Sequence, residues 1–423
     1  MNMQKKSKFD KFDFSWLIIS IGMAVGAGIV LVPITTGIVG FVIFAISILV
    51  AYPGIYLFQK LYVRTLFASK KPKVYKEVIG ELLGERWSFF LGTLYFLMML
   101  IWTVIYAEVV AKSLAAYLYI FKITENPHLE QNIVFSALLM IVLIFIGIKS
   151  QKLLVRVSSF LVCALVVAVV LASVFLIPLW SLDNIATLPR ENSEFITQTV
   201  FMLPFSLTSI LFIQSLSPMV SAYRIHYSGF ENNELALHKT LKTMKVAFIL
   251  LVGLIGFYIL SFSLVIPKKL ALEAAAGNQS AFVLLEQHGL SSVVLHVCGI
   301  VISLCAILTS FLSILSGMIE SLKGLLKTGL SKFNLYEIIG TKSIDVLVVT
   351  IIFLLTWLSI VFDAPIYNLV PLSGPIFGIL GCLVPVYMVY KVPSLHVYKS
   401  KSVYFIIFIG IVLIISPLLP SAN

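Results

Sequence analysis

The chain alternates long apolar stretches with short charged ones. Eleven apolar segments can be distinguished, and most are near the roughly 20 residues that a helix needs to cross a bilayer. Residues 14–58 carry no charge and are long enough for two spans that turn near 35–37. The other nine segments are 87–106, 132–148, 157–180, 195–223, 246–266, 291–319, 346–362, 364–390 and 402–419. This pattern predicts an all-α polytopic membrane protein with 11 transmembrane helices.

Lysine and arginine residues are concentrated in alternate loops. If the N-terminus is cytoplasmic, the predicted inner loops carry 25 of these residues and the outer loops carry 4. This asymmetry follows the positive-inside rule, and an odd number of spans then places the C-terminus outside. The net charge of +11 comes from residues that flank apolar spans in a chain that is 60% hydrophobic. The distribution therefore argues against a nucleic-acid partner and for the lipid bilayer.

The loops between the predicted spans are short, and none of them contains a hydrophilic domain. The longest inner loop, 68–85, contains a predicted surface helix at 75–83, and an outer helix is predicted at 270–285. The four cysteines lie inside apolar segments without metal-binding spacing, so we interpret them as packing residues. We therefore expect one transmembrane domain over 1–423, without a cofactor.

The first span contains three glycines in a stretch of seven residues. Gly22, Gly26 and Gly28 weaken a helix and allow another group to approach the backbone closely. If the helix unwinds there, its free N–H groups suit a carboxylate, and its free carbonyl groups suit a cation. The alternative is that Gly22 and Gly26, four residues apart, form a packing face for another helix.

The sixth span is interrupted by a polar stretch over 212–218. Gln214, Ser215 and Ser217 precede Pro218, which removes a backbone donor and frees a carbonyl group. Non-helical backbone at membrane depth is tolerated only where it lines a cavity or a water-filled path. Two interruptions, five helices apart, therefore predict a transporter with its substrate site near the bilayer midplane. The alternative is a proline kink with serines bonded to their own helix.

Two further places carry candidate chemistry. Thr309 and Ser310 in span 8 could supply hydroxyl ligands for a small hard cation, or could serve close helix packing. Glu108 and Lys112 lie at i,i+4 spacing near the outer end of span 3. They are either an ion pair at the membrane interface or functional ionisable groups inside the membrane. Glu108 is therefore a candidate for proton coupling.

At these residues the chain resembles the hydroxy and aromatic amino acid permease family, of the amino acid–polyamine–organocation superfamily. The similar stretches, in the family's order, are 25–33, 49–53, 217–221, 310–312, 373–375 and 391–393. The resemblance implies the leucine-transporter-type fold, with broken spans 1 and 6. Two inverted five-helix repeats would occupy 14–180 and 195–390, after a cytoplasmic tail at 1–13 and before an extra helix at 402–419. It also implies a secondary active importer of the bacterial inner membrane, and not an enzyme.

The resemblance assigns roles to individual residues. The substrate carboxylate would be held by Gly26, Ala27 and Gly28, and Tyr106 would lie beside the site. The substrate amine and side chain would meet the residues of broken span 6, namely Phe212, Ile213, Gln214, Ser215 and Ser217. A further pattern is similar to the sodium site of sodium-coupled members of the wider fold, and comprises Gly22, Val25, Ala306, Thr309 and Ser310.

The residues leave the substrate and the coupling ion open. Residues 51–53 and 217–218 are closer to the serine/threonine branch, but Thr309 stands where serine permeases of the family tend to carry lysine. An importer of serine or threonine is favoured over an aromatic amino acid permease, and sodium and the proton both remain candidate coupling ions. An intramembrane enzyme or a passive channel is disfavoured, because Glu108 and His296 are isolated and no polar stripe lines a pore. The oligomeric state is open.

Overall fold

A computed structural model describes residues 8–73, 75–149, 151–184, 191–227, 233–287, 292–303, 305, 308–331 and 340–419. Within these ranges the regular secondary structure is helical. The α-helices are α1 (Lys11–Ala24), α2 (Ala27–Val39), α3 (Phe41–Leu66), α4 (Tyr75–Leu83), α5 (Glu85–Ile120), α6 (Ile133–Lys149), α7 (Gln151–Phe175), α8 (Asn192–Ile210), α9 (Ile213–His226), α10 (Glu234–Val265), α11 (Lys268–Ala276), α12 (Ala281–Gln287), α13 (Val293–Ile302), α14 (Leu308–Ser331), α15 (Thr341–Val361), α16 (Ile366–Phe377), α17 (Val384–Lys391) and α18 (Lys401–Ile415).

Every predicted apolar segment coincides with at least one of these helices. Among the described residues, 8 helical segments are long and apolar enough to cross a membrane, and a bent pair would make 9. The bent pair is α1 and the main part of α2, whose axes differ by 49°. Two shorter apolar helices, α6 and α13, lie in further predicted segments. The prediction of a multi-pass, all-helical membrane protein is therefore confirmed.

Two of the spans form the centre of the bundle. The apolar windows of Asn192–His226 and Ile366–Lys391 are each 72% buried, whereas those of the other spans are 28% to 50% buried. α2 packs against α8, α10 and α11, and α14 packs along α5. The outward face of α6 exposes large apolar side chains such as Leu138 and Phe145, as expected of a helix that faces lipid.

The turn between the first two spans lies at Gly40, so the prediction of a turn near 35–37 is wrong. Gly40 has a φ of +94°, which glycine adopts without steric cost. Thr35 stays helical, and its hydroxyl donates a hydrogen bond to the carbonyl of Leu31 one turn earlier, at 3.1 Å.

Three other elements can be compared with the sequence predictions. The surface helix predicted at 75–83 is confirmed as α4. The single outer helix predicted at 270–285 is instead two helices, α11 and α12, because the chain turns between them with Asn278 at a φ of +51°. In span 10, Pro371 and Pro375 lie within α16, and the irregular part is the π-helical segment Gly378–Leu383.

Candidate substrate site at two helix breaks

The first helix break lies at Val25 and Gly26. α1 ends at Ala24 and α2 begins at Ala27, and the residues between them have non-helical ψ angles of 55° and −106°. The break is inside the glycine-rich stretch in which unwinding was predicted. The N-terminus of α2, whose first N–H groups have no partners within the helix, is thereby placed inside the bundle.

Gly26 lies against two side chains from distant parts of the chain. A Cβ atom at this position would overlap the hydroxyl of Tyr106 on α5 and the hydroxyl of Ser310 on α14. The structure thus brings together two residues that the sequence assigned to the substrate site, Gly26 and Tyr106, and one that it assigned to the possible sodium site, Ser310. The Ser310 hydroxyl is buried and has no hydrogen-bond partner within the described ranges. A buried polar atom without a partner suggests a place for a ligand or an ion.

The second helix break lies at Leu211 and Phe212, between α8 and α9. Leu211 is extended, with a ψ of 124°, and Phe212 has a φ of −129° and a ψ of 29°. The predicted interruption extended to Pro218, but Pro218 lies inside α9. The break is therefore at the start of the predicted stretch, where α8 ends.

The second break is capped by a glutamine that the sequence analysis did not identify. The backbone N–H of Phe212 donates to Oε1 of Gln59 on α3, at 3.3 Å, and Gln59 is fully buried. Nε2 of Gln59 has no partner among the described atoms. The sequence carried no clear signal for this role, because Gln59 directly follows the apolar segment 14–58 and precedes Lys60.

Replacement of Gln59 by leucine should destabilise this break. Phe212 would lose the acceptor for its buried N–H group, at a cost of about 1–3 kcal/mol. We expect a lower unfolding temperature in detergent and a higher KM for uptake. Gln198→Leu is the matched control, because the amide of Gln198 donates only to Glu194 on the same helix. Equal effects of the two substitutions would contradict a specific role for Gln59.

Pairs of hydroxyl groups connect the second break to the neighbouring helices. Ser47 and Ser206 are joined by a hydrogen bond of 2.6 Å, and Tyr52 and Ser209 by one of 3.1 Å. Both bonds tie α3 to α8. On the α9 side of the break, the hydroxyl of Ser215 is 3.2 Å from the hydroxyl of Ser20 on α1. The Ser215 hydroxyl also donates to the carbonyl of Phe212, at 2.8 Å. The two broken helices are therefore in direct polar contact.

A small cavity of about 40 Å³ lies between the two breaks. Tyr106, Gln214 and Ser310 contribute polar groups to its wall, and Trp102 and Phe377 contribute aromatic rings. The complete lining is Met23, Ala24, Trp102, Tyr106, Thr208, Leu211, Gln214, Ser310, Ser313, Ile314 and Phe377. A concave site with a few convergent polar groups among apolar ones is the usual form of a small-molecule site.

Other residues assigned to the site from the sequence lie elsewhere or are not described. Phe212 and Ile213 are buried, and neither lines the cavity. Ser217 accepts a hydrogen bond from the backbone of Tyr75 at 3.1 Å, at the end of the bundle where α4 lies. Gly22 packs against Val162 of α7. The structure describes Ala27, Gly28 and Thr309 as helical but does not describe their surroundings. Ala306 lies outside the described residues.

Glu108 and Lys112 do not pair with each other, so an ion pair between them is not the arrangement found. Glu108 is fully buried, and its Oε1 accepts from the backbone N–H of Ala364, at 3.0 Å. Its Oε2 is buried without a partner in the described part of the chain. Lys112 instead donates to Oδ1 of Asp363 at 2.6 Å and to the carbonyl of Gly277 at 3.0 Å.

Asp363 lies exposed in a turn, with a φ of +49°, and it binds two side chains. Besides Lys112, it accepts a hydrogen bond of 2.9 Å from Asn278, in the turn between α11 and α12. Burial acts to raise the pKa of Asp363, but the hydrogen bonds from Lys112 and Asn278 outweigh it and hold this pKa below its usual range. These contacts join α5 to two loops beside a cavity of about 240 Å³.

At the opposite end of the bundle, a buried lysine joins three helices. Lys239 of α10 is 1% exposed, and its Nζ lies 2.6 Å from Asp13 and 3.0 Å from Asp10. Asp13, in the first turn of α1, also accepts from the hydroxyl of Tyr223 on α9, at 2.6 Å. In the sequence, Lys239 is one of the basic residues of a predicted inner loop. Its burial depends on the packing of α1 against α9 and α10, which the sequence does not show.

Sequence comparison finds serine transporters over nearly the whole chain. A "Serine transporter" of Escherichia coli O157:H7 and a "Probable serine transporter" of Escherichia coli K12 are each 37% identical over 418 residues. The match covers 97% of this chain and 92% of each relative. A "Threonine/serine transporter TdcC" of Escherichia fergusonii is 28% identical, over 93% of this chain and 92% of its own length. No family model matches the chain.

Structural comparison finds a solved structure with a similar fold over nearly the whole chain. The crystal structure of MhsT in complex with L-phenylalanine superimposes with a TM-score of 0.57 at 16% sequence identity. The match covers 96% of this chain and 97% of that one. At this identity the likeness shows a shared fold.

Proposed function

The chain belongs to the hydroxy and aromatic amino acid permease family, with serine transporters among its relatives, and we propose that it imports serine or threonine. That it is an amino acid transporter and not an enzyme follows from these relatives. The proposal that serine or threonine is the substrate rests on the cavity between the two helix breaks, beside which Gly26 contacts Tyr106 and Ser310.

The polar and aromatic groups around the cavity suit a small amino acid with a polar side chain, and the cavity of about 40 Å³ would have to widen to admit one. The substrate carboxylate would lie at the N-terminus of α2, where free N–H groups and the helix dipole favour an anion. Thr208 and Gln214 would be available to the amine or the side-chain hydroxyl, while Trp102 and Phe377 limit the space. A site built to hydrogen-bond a hydroxyl group rejects a substrate that lacks one, because its own polar groups would be left unpaired.

The finer architecture is part of the same proposal. Eleven spans would form two inverted repeats, spans 1–5 and 6–10, with the N-terminus in the cytoplasm and the C-terminus outside the inner membrane. The asymmetry of 25 basic residues against 4 supports this orientation. The positions of the α1/α2 and α8/α9 breaks, in spans 1 and 6, support the repeat, and alternating access would proceed around the site between them.

Competition for uptake tests the substrate. Proteoliposomes containing the purified protein would take up labelled serine against its gradient, and an ionophore would abolish this accumulation. We expect excess unlabelled threonine to suppress uptake and excess tryptophan to leave it unchanged. Suppression by tryptophan alone would instead favour the aromatic branch, and uptake that never exceeds equilibrium would favour a channel.

Transport would be coupled to sodium or to protons, and each ion has a candidate residue. The Ser310 hydroxyl is buried without a described partner and lies against Gly26. This hydroxyl would be one oxygen ligand of a sodium ion, and Gly22, Val25, Ala306 and Thr309 would supply the others. The free Oε2 of buried Glu108 fits a group that takes up and releases a proton.

Variation of sodium and pH, each with the other held constant, distinguishes these candidates. Sodium coupling predicts that Ser310→Ala raises the sodium concentration for half-maximal uptake by about tenfold, the effect of one lost interaction of about 1.4 kcal/mol. It also predicts that Glu108→Gln preserves the sodium dependence. Proton coupling predicts that uptake continues without sodium and that Glu108→Gln abolishes its dependence on the pH gradient. Uptake that responds to neither gradient would contradict both forms of coupling.

A further inference from the structure

Helices α3 and α10 pack side by side, and each carries a stripe of residues that faces out of the bundle. On α3 the stripe is Lys60, Tyr56, Pro53 and Leu49, and on α10 it is Lys245, Ile249, Val252 and Gly256. Both follow the spacing i, i+4, i+7 and i+11, which keeps side chains on one helix face. The helices run in opposite directions, so the two lysines lie at the same end of the seam.

The apolar part of this seam is a groove. Leu49 is 73% exposed and Ile249 is 56% exposed. A Cβ atom at Gly256 would meet no atom within 4 Å, so the surface is open beside this residue. The floor of the seam is the contact between the rings of Tyr56 and Phe248, whose centroids are 5.2 Å apart. An open apolar groove on the face of a membrane helix bundle has the shape and chemistry of an acyl-chain site.

The end of the groove is strongly basic. Lys60 lies close enough to Arg64 and Lys245 to interact with both, and these two charges repel it. In the described part of the chain, none of the three has a carboxylate within 4.0 Å. Arg64 rests on the ring of Tyr398, at 4.5 Å, and its Nε is buried with no partner among the described atoms. Three cations without a described carboxylate partner, beside an apolar groove, favour an anion at this place.

We propose that the seam between α3 and α10 binds an anionic phospholipid. Its phosphate group would lie among Lys60, Arg64 and Lys245, and its acyl chains would follow the two stripes toward Leu49 and Gly256. A lipid supplies the anion and the apolar chains in one molecule, whereas a zwitterionic headgroup would bring an additional positive charge to the same cluster. The sequence predicts this end of both helices to be cytoplasmic, where anionic headgroups attract basic residues.

Binding of labelled phosphatidylglycerol to the full-length protein in detergent tests the proposal. Each basic residue near a lipid surface contributes about fivefold to binding, so Lys60→Gln with Lys245→Gln should weaken binding by about 25-fold. The matched control is Lys11→Gln with Lys401→Gln, which removes the same charge from exposed positions elsewhere at the predicted inner face. Equal binding by the two double variants would overturn the proposal.

Two further measurements separate a lipid site from a simple anion site. Gly256→Leu would fill the groove and leave the three cations in place, and we expect it to weaken binding of phosphatidylglycerol as well. Inorganic phosphate at millimolar concentration should not displace the lipid, and phosphatidylcholine should compete poorly. Full displacement by inorganic phosphate, or unchanged lipid binding by Gly256→Leu with a wild-type unfolding temperature, would contradict the acyl-chain groove.

Discussion

Replacement of Gly26 by alanine should reduce amino acid uptake by about 100-fold or more, the effect of displacing groups in a site by about 1 Å. The new methyl group would overlap the hydroxyls of Tyr106 and Ser310, which belong to two different helices. The expected effect comes from this crowding at the first helix break. Either α5 and α14 must move apart at the first helix break, or α2 must shift its N-terminus.

The initial rate of labelled serine uptake, normalised to the amount of reconstituted protein, is the measurement. Gly329→Ala on α14 is the matched control, because a Cβ atom there would meet nothing within 4 Å. We expect this control to transport at the wild-type rate. If Gly26→Ala also transports at the wild-type rate, the substrate site cannot depend on the close contact of Gly26 with Tyr106 and Ser310.

Replacement of Lys239 by methionine should lower the free energy of unfolding by about 3–5 kcal/mol, as expected when one partner of a buried ion pair is removed. Asp13 is fully buried, and Lys239 Nζ is the cation nearest to it in the described contacts, at 2.6 Å. Without Lys239, this carboxylate would keep the hydroxyl of Tyr223 as a donor but would lose its compensating charge. The inner end of α1 would then be held less firmly to α9 and α10.

Thermal unfolding in detergent measures this effect. Lys11→Met is the control, since Lys11 is exposed, and such a surface change is expected to shift stability by less than about 0.5 kcal/mol. Asp13→Asn in the Lys239→Met background should recover part of the loss, because it removes the uncompensated charge. An unfolding temperature for Lys239→Met equal to that of Lys11→Met would show that the pair does not stabilise the fold.

The predicted elements were most accurate where the membrane itself acts as the solvent. A lipid-exposed backbone must satisfy its hydrogen bonds within the segment, so apolar length and flanking charge are enough to locate helices such as α15 and α18. The unwinding near Gly26 was predictable for a related reason, because three glycines in seven residues weaken a helix. Local composition is sufficient where the controlling interactions are local.

The errors of position arose where one residue type allows more than one conformation. Pro218 was expected to interrupt span 6, but it is accommodated inside α9, and the chain breaks at Leu211 and Phe212 instead. A turn was expected at the threonines and the glycine of 35–37, but the chain turns at Gly40 instead. In each case the sequence offered several candidates, and the packing of neighbouring helices selected one.

By itself, the sequence determined that this protein is a multi-pass helical membrane protein with a glycine-rich interruption in span 1 and a polar interruption in span 6, and it indicated the family. Only the tertiary structure decided the partners of the polar groups. Gln59 was brought to the N–H of Phe212, Lys239 to Asp13, and Lys112 to Asp363 and not to Glu108. The physical reason is that apolar burial depends on the residue itself, whereas a hydrogen bond or ion pair depends on distances of a few ångströms between segments that only the complete bundle brings together.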